Sequence, residues 1–169
     1  MGFSGVMEHQ FITSLSSGCN LHRLFILDDS PKNNSECKLI SKKHILKPED
    51  YVDAPVPEMG KFTRKMIIDS STVGAKELSL LYGRYEGRAV GGNYERKCSH
   101  PNAEEILYIT GGRGYVGIEG EEHFVEKGDA IWVPKDAVHW VYNPFEEPFE
   151  MLCVYSRASL REAGLTIHD

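Results

Sequence analysis

Basic residues are in deficit: 19 Lys plus Arg stand against 25 Asp plus Glu, for a formal charge of −6. That balance excludes the electrostatic footprint needed to wrap nucleic acid or an anionic membrane. A small molecule or another protein is the expected partner. No apolar run approaches the roughly 18 residues of a membrane span, and the opening MGFSGVMEHQ lacks the basic and long apolar segments of a secretory leader. The chain is therefore expected to be cytoplasmic. Cysteine is sparse, and Cys19, Cys37, Cys98 and Cys153 form no C-x-x-C pair, which argues against a zinc ribbon or a dense disulfide framework. Reduced thiols are expected, a Cys19–Cys37 bridge being the alternative. A phosphate cradle is also missing, because Gly111-Gly112-Arg113-Gly114 leads into a strand rather than a helix N-terminus. There is no Ser-His-Asp motif context, internal repeat or low-complexity tract.

What is present is ordinary for one compact domain: 169 residues, 41% hydrophobic and 26% charged, enough to bury a core. Residues 1–60 read as an extension, with a strand-like run Leu21 to Leu27, a polar loop at 28–36, and a helical turn opened by Pro48. From Lys61 the signals change to short strand-like runs with turns at roughly 8–12-residue intervals, the pattern of an antiparallel sandwich or barrel. The expected strands are Phe62–Ile68, Glu77–Tyr85, Ile106–Thr110, Tyr115–Glu119, His123–Glu126, Ala130–Val133, His139–Tyr142 and Phe149–Tyr155. They define an all-β domain over 61–156, followed by a short helical tail over 157–169.

Side chains alternate across a strand, so Glu105, Leu107 and Ile109 share one face, as do His139, Val141 and Asn143. If both faces look into one barrel, His139 and Glu105 converge near its rim, with His100 arriving from the loop ahead of Glu105. Two imidazoles and a carboxylate in an apolar-walled pocket are a ligand set for a divalent first-row metal. Tyr82, Arg84, Arg88 and Arg96 lie close enough in sequence to greet a substrate carboxylate or enolate, unless surface acids claim them. Glu104 should face away from its neighbour Glu105. Trp140 and Tyr142 should point outward and, with Trp132 and Tyr108, pack against other surfaces rather than form a cofactor box. His123 reads as an exposed hairpin residue and Cys153 as a small core residue.

Two spacings carry a resemblance. Gly92, Cys98, His100, Glu105 and Gly112 resemble the first motif of the cupin superfamily, with Cys98 in the slot of its first histidine. Gly128, Pro134, Asp136, His139 and Asn143 resemble the second, with Asp136 in place of glycine, in a turn where Asp tolerates unusual backbone angles. The resemblance implies a double-stranded β-helix, the jelly-roll barrel. It also implies one divalent transition metal, Fe, Zn, Mn or Ni, in the slots of Cys98, His100, Glu105 and His139. Proteins of this superfamily commonly pair their barrels, so a homodimer is expected, with Leu21 to Leu27 as a strand that crosses between subunits.

Three readings of Cys98 follow. As a thiolate ligand it favours Zn or Fe. Standing back, it leaves a two-histidine, one-carboxylate triad typical of non-haem Fe(II) oxygenases. In the third reading its substitution abolishes the site. The expected function is a mononuclear metal enzyme acting on a small polar molecule, with a lean to a non-haem Fe dioxygenase because the bare triad leaves room for substrate and O₂. Metal-dependent isomerase, decarboxylase or lyase chemistry is the alternative. A non-catalytic ligand-binding or sensor domain is the rival from another class, disfavoured because residues 1–60 contain no convincing pair of amphipathic helices for an output module.

Overall fold

The chain divides into two units, Met1–Cys37 and Lys38–Asp169. In the computed structural model, residues 43–54, 62–91 and 95–168 are described, all within the second unit. The Leu21 to Leu27 run, Cys19, Cys37 and Gly92 lie outside them. After a 3₁₀ turn at Pro48–Asp50 come β1 (Val52–Asp53), β2 (Phe62–Ile68), β3 (Ser79–Tyr85), a second 3₁₀ turn at Arg88–Val90, and β4 (Lys97–Ser99). These are followed by β5 (Glu105–Gly111), β6 (Arg113–Ile118), β7 (Glu121–Glu126), β8 (Ala130–Val133), β9 (His139–Tyr142) and β10 (Phe149–Tyr155). One helical turn, α1 (Leu160–Ala163), and a last strand, β11 (Thr166–His168), close the chain.

The strands form two antiparallel sheets facing one core, ordered β1-β2-β3-β10-β5-β8 and β11-β4-β9-β6-β7. This is the expected double-stranded β-helix. Alternation decides which residues face inward. In β5, Glu105, Leu107 and Ile109 are buried while Ile106 and Tyr108 are exposed. In β10, Phe149, Met151, Cys153 and Tyr155 point in. Full burial of a Leu, Ile, Phe or Met contributes roughly 1.5–3 kcal/mol, so this shared face is what brings the sheets together.

Turns fix the register. Glu119 and Gly120 both have positive φ, 52° and 90°, the two-residue geometry that suits the right-handed twist of a hairpin such as β6–β7. Asp136 takes φ 64°, so the residue standing in the glycine slot does adopt the left-handed conformation. At Gly112, φ 69°, an added Cβ would meet the Pro148 carbonyl oxygen at 2.1 Å, so only glycine fits. Asn143 is fully buried at the end of β9, where its Nδ2 donates to the carbonyls of Glu86 and Glu147 and its Oδ1 accepts from the Phe145 amide.

Three strands had no counterpart in the sequence reading: β1, β4 and β11. The tail is a single helical turn followed by a strand, rather than a helix alone. Trp140 does point outward, yet it is buried. Its ring fills the place where a Gly117 side chain would stand, and Lys97 lies over it at 4.9 Å. Among the described residues, no helix is long and apolar enough to cross a membrane.

Candidate metal centre

The centre is assembled from both sheets. Within β4, Cys98 is the cross-strand partner of His139 in β9 on one side and of Ile167 in β11 on the other. That register brings Cys98 Sγ to 3.6 Å from His139 Nε2. His100 follows β4 directly, and donor atoms of Cys98, His100 and His139 all lie within 4.8 Å of one another. Glu105 approaches from the opposite sheet, its Oε2 3.1 Å from His139 Nε2 and 3.6 Å from His100 Nε2. His100, Glu105 and His139 are 6%, 3% and 4% exposed, so these donors are withdrawn from bulk water.

Backbone carbonyls set the histidine tautomers. His100 Nδ1 lies 2.6 Å from the Gly164 carbonyl and His139 Nδ1 3.0 Å from that of Ala137. A carbonyl only accepts, so each Nδ1 carries hydrogen and each Nε2 is turned to the centre, the orientation a metal-ligating imidazole requires. Glu105 Oε2 is buried without an aligned hydrogen bond, despite its 3.1 Å approach to His139. Nitrogen and oxygen donors about 2.1 Å from a shared ion stand about 3.0 Å apart at right angles and about 3.4 Å apart at tetrahedral angles. The observed 3.1 and 3.6 Å lie within about 0.2 Å of those values, so the donors are spaced to share one cation.

The ionisation of the metal-free site follows from the same contacts. Burial pushes the Glu105 carboxyl up, but His139, His100 and Tyr155 outweigh it and hold it below its ordinary range. Burial also favours a neutral His139, yet contacts with Cys98 and Glu105 prevail and push it up to about 11. For His100 burial wins, and its pKa is lowered. Tyr155 stands edge-on to His100 at 5.0 Å, its hydroxyl pushed up by burial and then by Glu105.

These donors line a cavity of about 80 Å³ whose walls include Leu107, Val141, Met151, Cys153, Leu165 and Ile167. Of the proposed substrate groups, Arg96 lines this cavity, whereas Tyr82 and Arg84 do not. They alternate with the inward residues of β3, so Arg84 pairs on the outside with Glu86 and Glu150. Arg88 pairs with Glu146 on the surface. Glu104 faces out and His123 is exposed, as expected. Sequence reasoning passed over Arg64 and Tyr85, which reach the cavity from β2 and β3. The available signal was a charge within an alternating run: Phe62, Arg64 and Met66 share a face.

Comparison with known proteins agrees with this architecture. Residues 87–155 match the family described as Cupin domain. An uncharacterized protein of Methanocaldococcus jannaschii is 29% identical over 115 residues, 68% of this chain and 88% of that one. A predicted oxalate decarboxylase from Thermotoga maritima superposes with TM-score 0.57 at 15% identity, covering 67% of this chain and 98% of that one. An RmlC-like cupin from Shewanella frigidimarina does so with TM-score 0.54 at 18% identity, covering 69% and 92%. Residues 87–155 are thus similar to a cupin domain, and the likeness to these solved structures shows the same double-stranded β-helix fold.

Proposed function

We propose that the protein is a mononuclear metal-dependent enzyme acting on a small polar molecule, with Cys98, His100, Glu105 and His139 holding the ion. The observation that carries this reading is the convergence of Glu105 Oε2 on two imidazole Nε2 atoms, 3.1 Å away on His139 and 3.6 Å away on His100, with both rings oriented by backbone carbonyls. A sulfur, two nitrogens and an oxygen favour Zn or Fe over Mn. A divalent ion held there supplies Lewis-acid polarisation of substrate oxygens. The protein's own part is positional. Gly164 and Ala137 fix the imidazoles, Tyr155 supports Glu105, and the apolar walls limit water and strengthen the electrostatics within. With Cys98 at the cluster, isomerase, decarboxylase or lyase chemistry is the first reading. The Fe dioxygenase is the second, favoured by the compact His100–Glu105–His139 triad, which persists if the sulfur stands back.

Metal analysis of protein purified without chelator is expected to give about one ion per chain, and Ala at both His100 and His139 to abolish it. Stoichiometric metal in that double variant would show that the ligands are wrong. Oxygen uptake by Fe(II)-loaded protein with diketones, catechols and thiols then separates the oxygenase from the Lewis-acid reading.

A further inference from the structure

Arg64 sits on the inner face of β2, in the cross-strand row Arg64, Gly83, Met151 and Ile109, and lines the same cavity as the four proposed metal donors. The Phe62 ring covers the gap left by Gly83 and lies 5.6 Å from the guanidinium carbon, a platform for a cation. Arg64 Nε is buried without a hydrogen-bond partner. Arg84, Arg88 and Arg113 are each engaged by surface glutamates. Among the described residues, no carboxylate forms an ion pair with Arg64. Its charge is nevertheless felt inside: it helps to lower His100, and it opposes the upward shifts of Cys153 and Tyr155. A guanidinium does not shed its proton; burial works against its charge, but Tyr155 and other cavity groups, Glu105 among them, act on this buried cation from a distance and raise its pKa. No carboxylate among the described residues grips its fork.

We propose that Arg64 anchors an anionic substrate: a small carboxylic acid whose carboxylate is gripped by the guanidinium while its other polar end reaches the metal donors. The planar fork matches a planar carboxylate through two parallel hydrogen bonds, which a tetrahedral anion or a neutral amide reproduces less well. The apolar walls strengthen that pair by excluding water. Arg96 lines the same cavity and adds positive charge. The cavity of about 80 Å³ suits a short acid. The second half of this proposal rests on the metal centre above; the grip on the anion stands without it.

The test is calorimetric titration of the full chain with malonate, succinate and glutarate, each beside its neutral diamide, and with inorganic phosphate, on metal-loaded and metal-free protein of measured metal content. At least one diacid is expected to bind, with its diamide and phosphate weaker by about ten-fold or more. Arg64→Met is expected to lose about ten- to hundred-fold in diacid affinity, the worth of a charge-assisted pair, while keeping wild-type metal content. Arg64→Lys, which keeps the charge but not the fork, recovers part of the loss and supplies the comparison if the Met variant folds poorly. Equal diacid affinity in wild type and either folded variant overturns the proposal. So does a wild type that binds no diacid, or that prefers the diamide or phosphate. A wild type without metal sinks the metal centre alone, because the metal-free titrations still separate diacid from diamide.

Discussion

Cys98 and His139 face one another across β4 and β9 with Sγ and Nε2 3.6 Å apart, the spacing of two donors on one ion. A bound thiolate gives Co(II)-substituted protein a sulfur-to-metal charge-transfer band in the near ultraviolet. Cys98→Ser is expected to retain metal with weakened affinity and to lose that band; an unchanged spectrum would place the sulfur outside the coordination sphere. His139 carries the second test at this scale. Pushed up to about 11, it holds a proton at neutral pH in the metal-free protein, and a ligating imidazole must be neutral. Metal uptake at pH 7 should therefore release at least one proton, and affinity should rise by about a decade per pH unit between pH 6 and 8 for each proton displaced. Metal binding in weakly buffered solution, followed with a pH electrode, measures the release. His100, lowered by burial, adds little to it.

Among the elements, the tail has the least expected role. Gly164 ends α1 and presents its carbonyl to His100, while β11 pairs with β4 beside Cys98. Outside the barrel, His168 contacts the Ser99 hydroxyl, which donates to Asp136. A chain ending at Ser159 should keep its β-sheet circular dichroism but bind Zn about 10- to 100-fold more weakly, as losses of groups orienting a ligand usually do. Competition against a chromogenic chelator reads this directly, and unchanged affinity would reduce the tail to packing. The strands β2, β8, β9 and β10 were legible to the residue because alternation and flanking turns are local signals. The short β4 and β11 were not, since neither carries alternation long enough to read, and each exists because the other supplies its hydrogen bonds.

For the molecule as a whole, we propose a homodimer, with the strand expected at residues 21–27, outside the described residues, exchanged between subunits. Ile106, Tyr108 and Trp132 stand 45%, 46% and 59% exposed on the outer side of β5 and β8, more apolar surface than a scatter of single residues. Light scattering after size exclusion should give twice the chain mass for the full-length protein and a single chain mass for residues 38–169. Unchanged mass after truncation would remove the exchanged strand as the source of association.

The amino-acid sequence by itself determined the all-β class, the turns at Gly112, Gly128 and Asp136, and the shared faces of Glu105 and His139 with their strand neighbours. Backbone preference and two-residue alternation act over a few neighbouring residues and leave their marks there. Tertiary structure alone decided what meets across the barrel: Sγ of Cys98 beside Nε2 of His139, the Gly164 carbonyl behind His100, and Arg64 inside the cavity while Arg84 turns out to Glu86 and Glu150. Those contacts join residues from distant strands, and their geometry is set by register and sheet packing that no local stretch of sequence encodes.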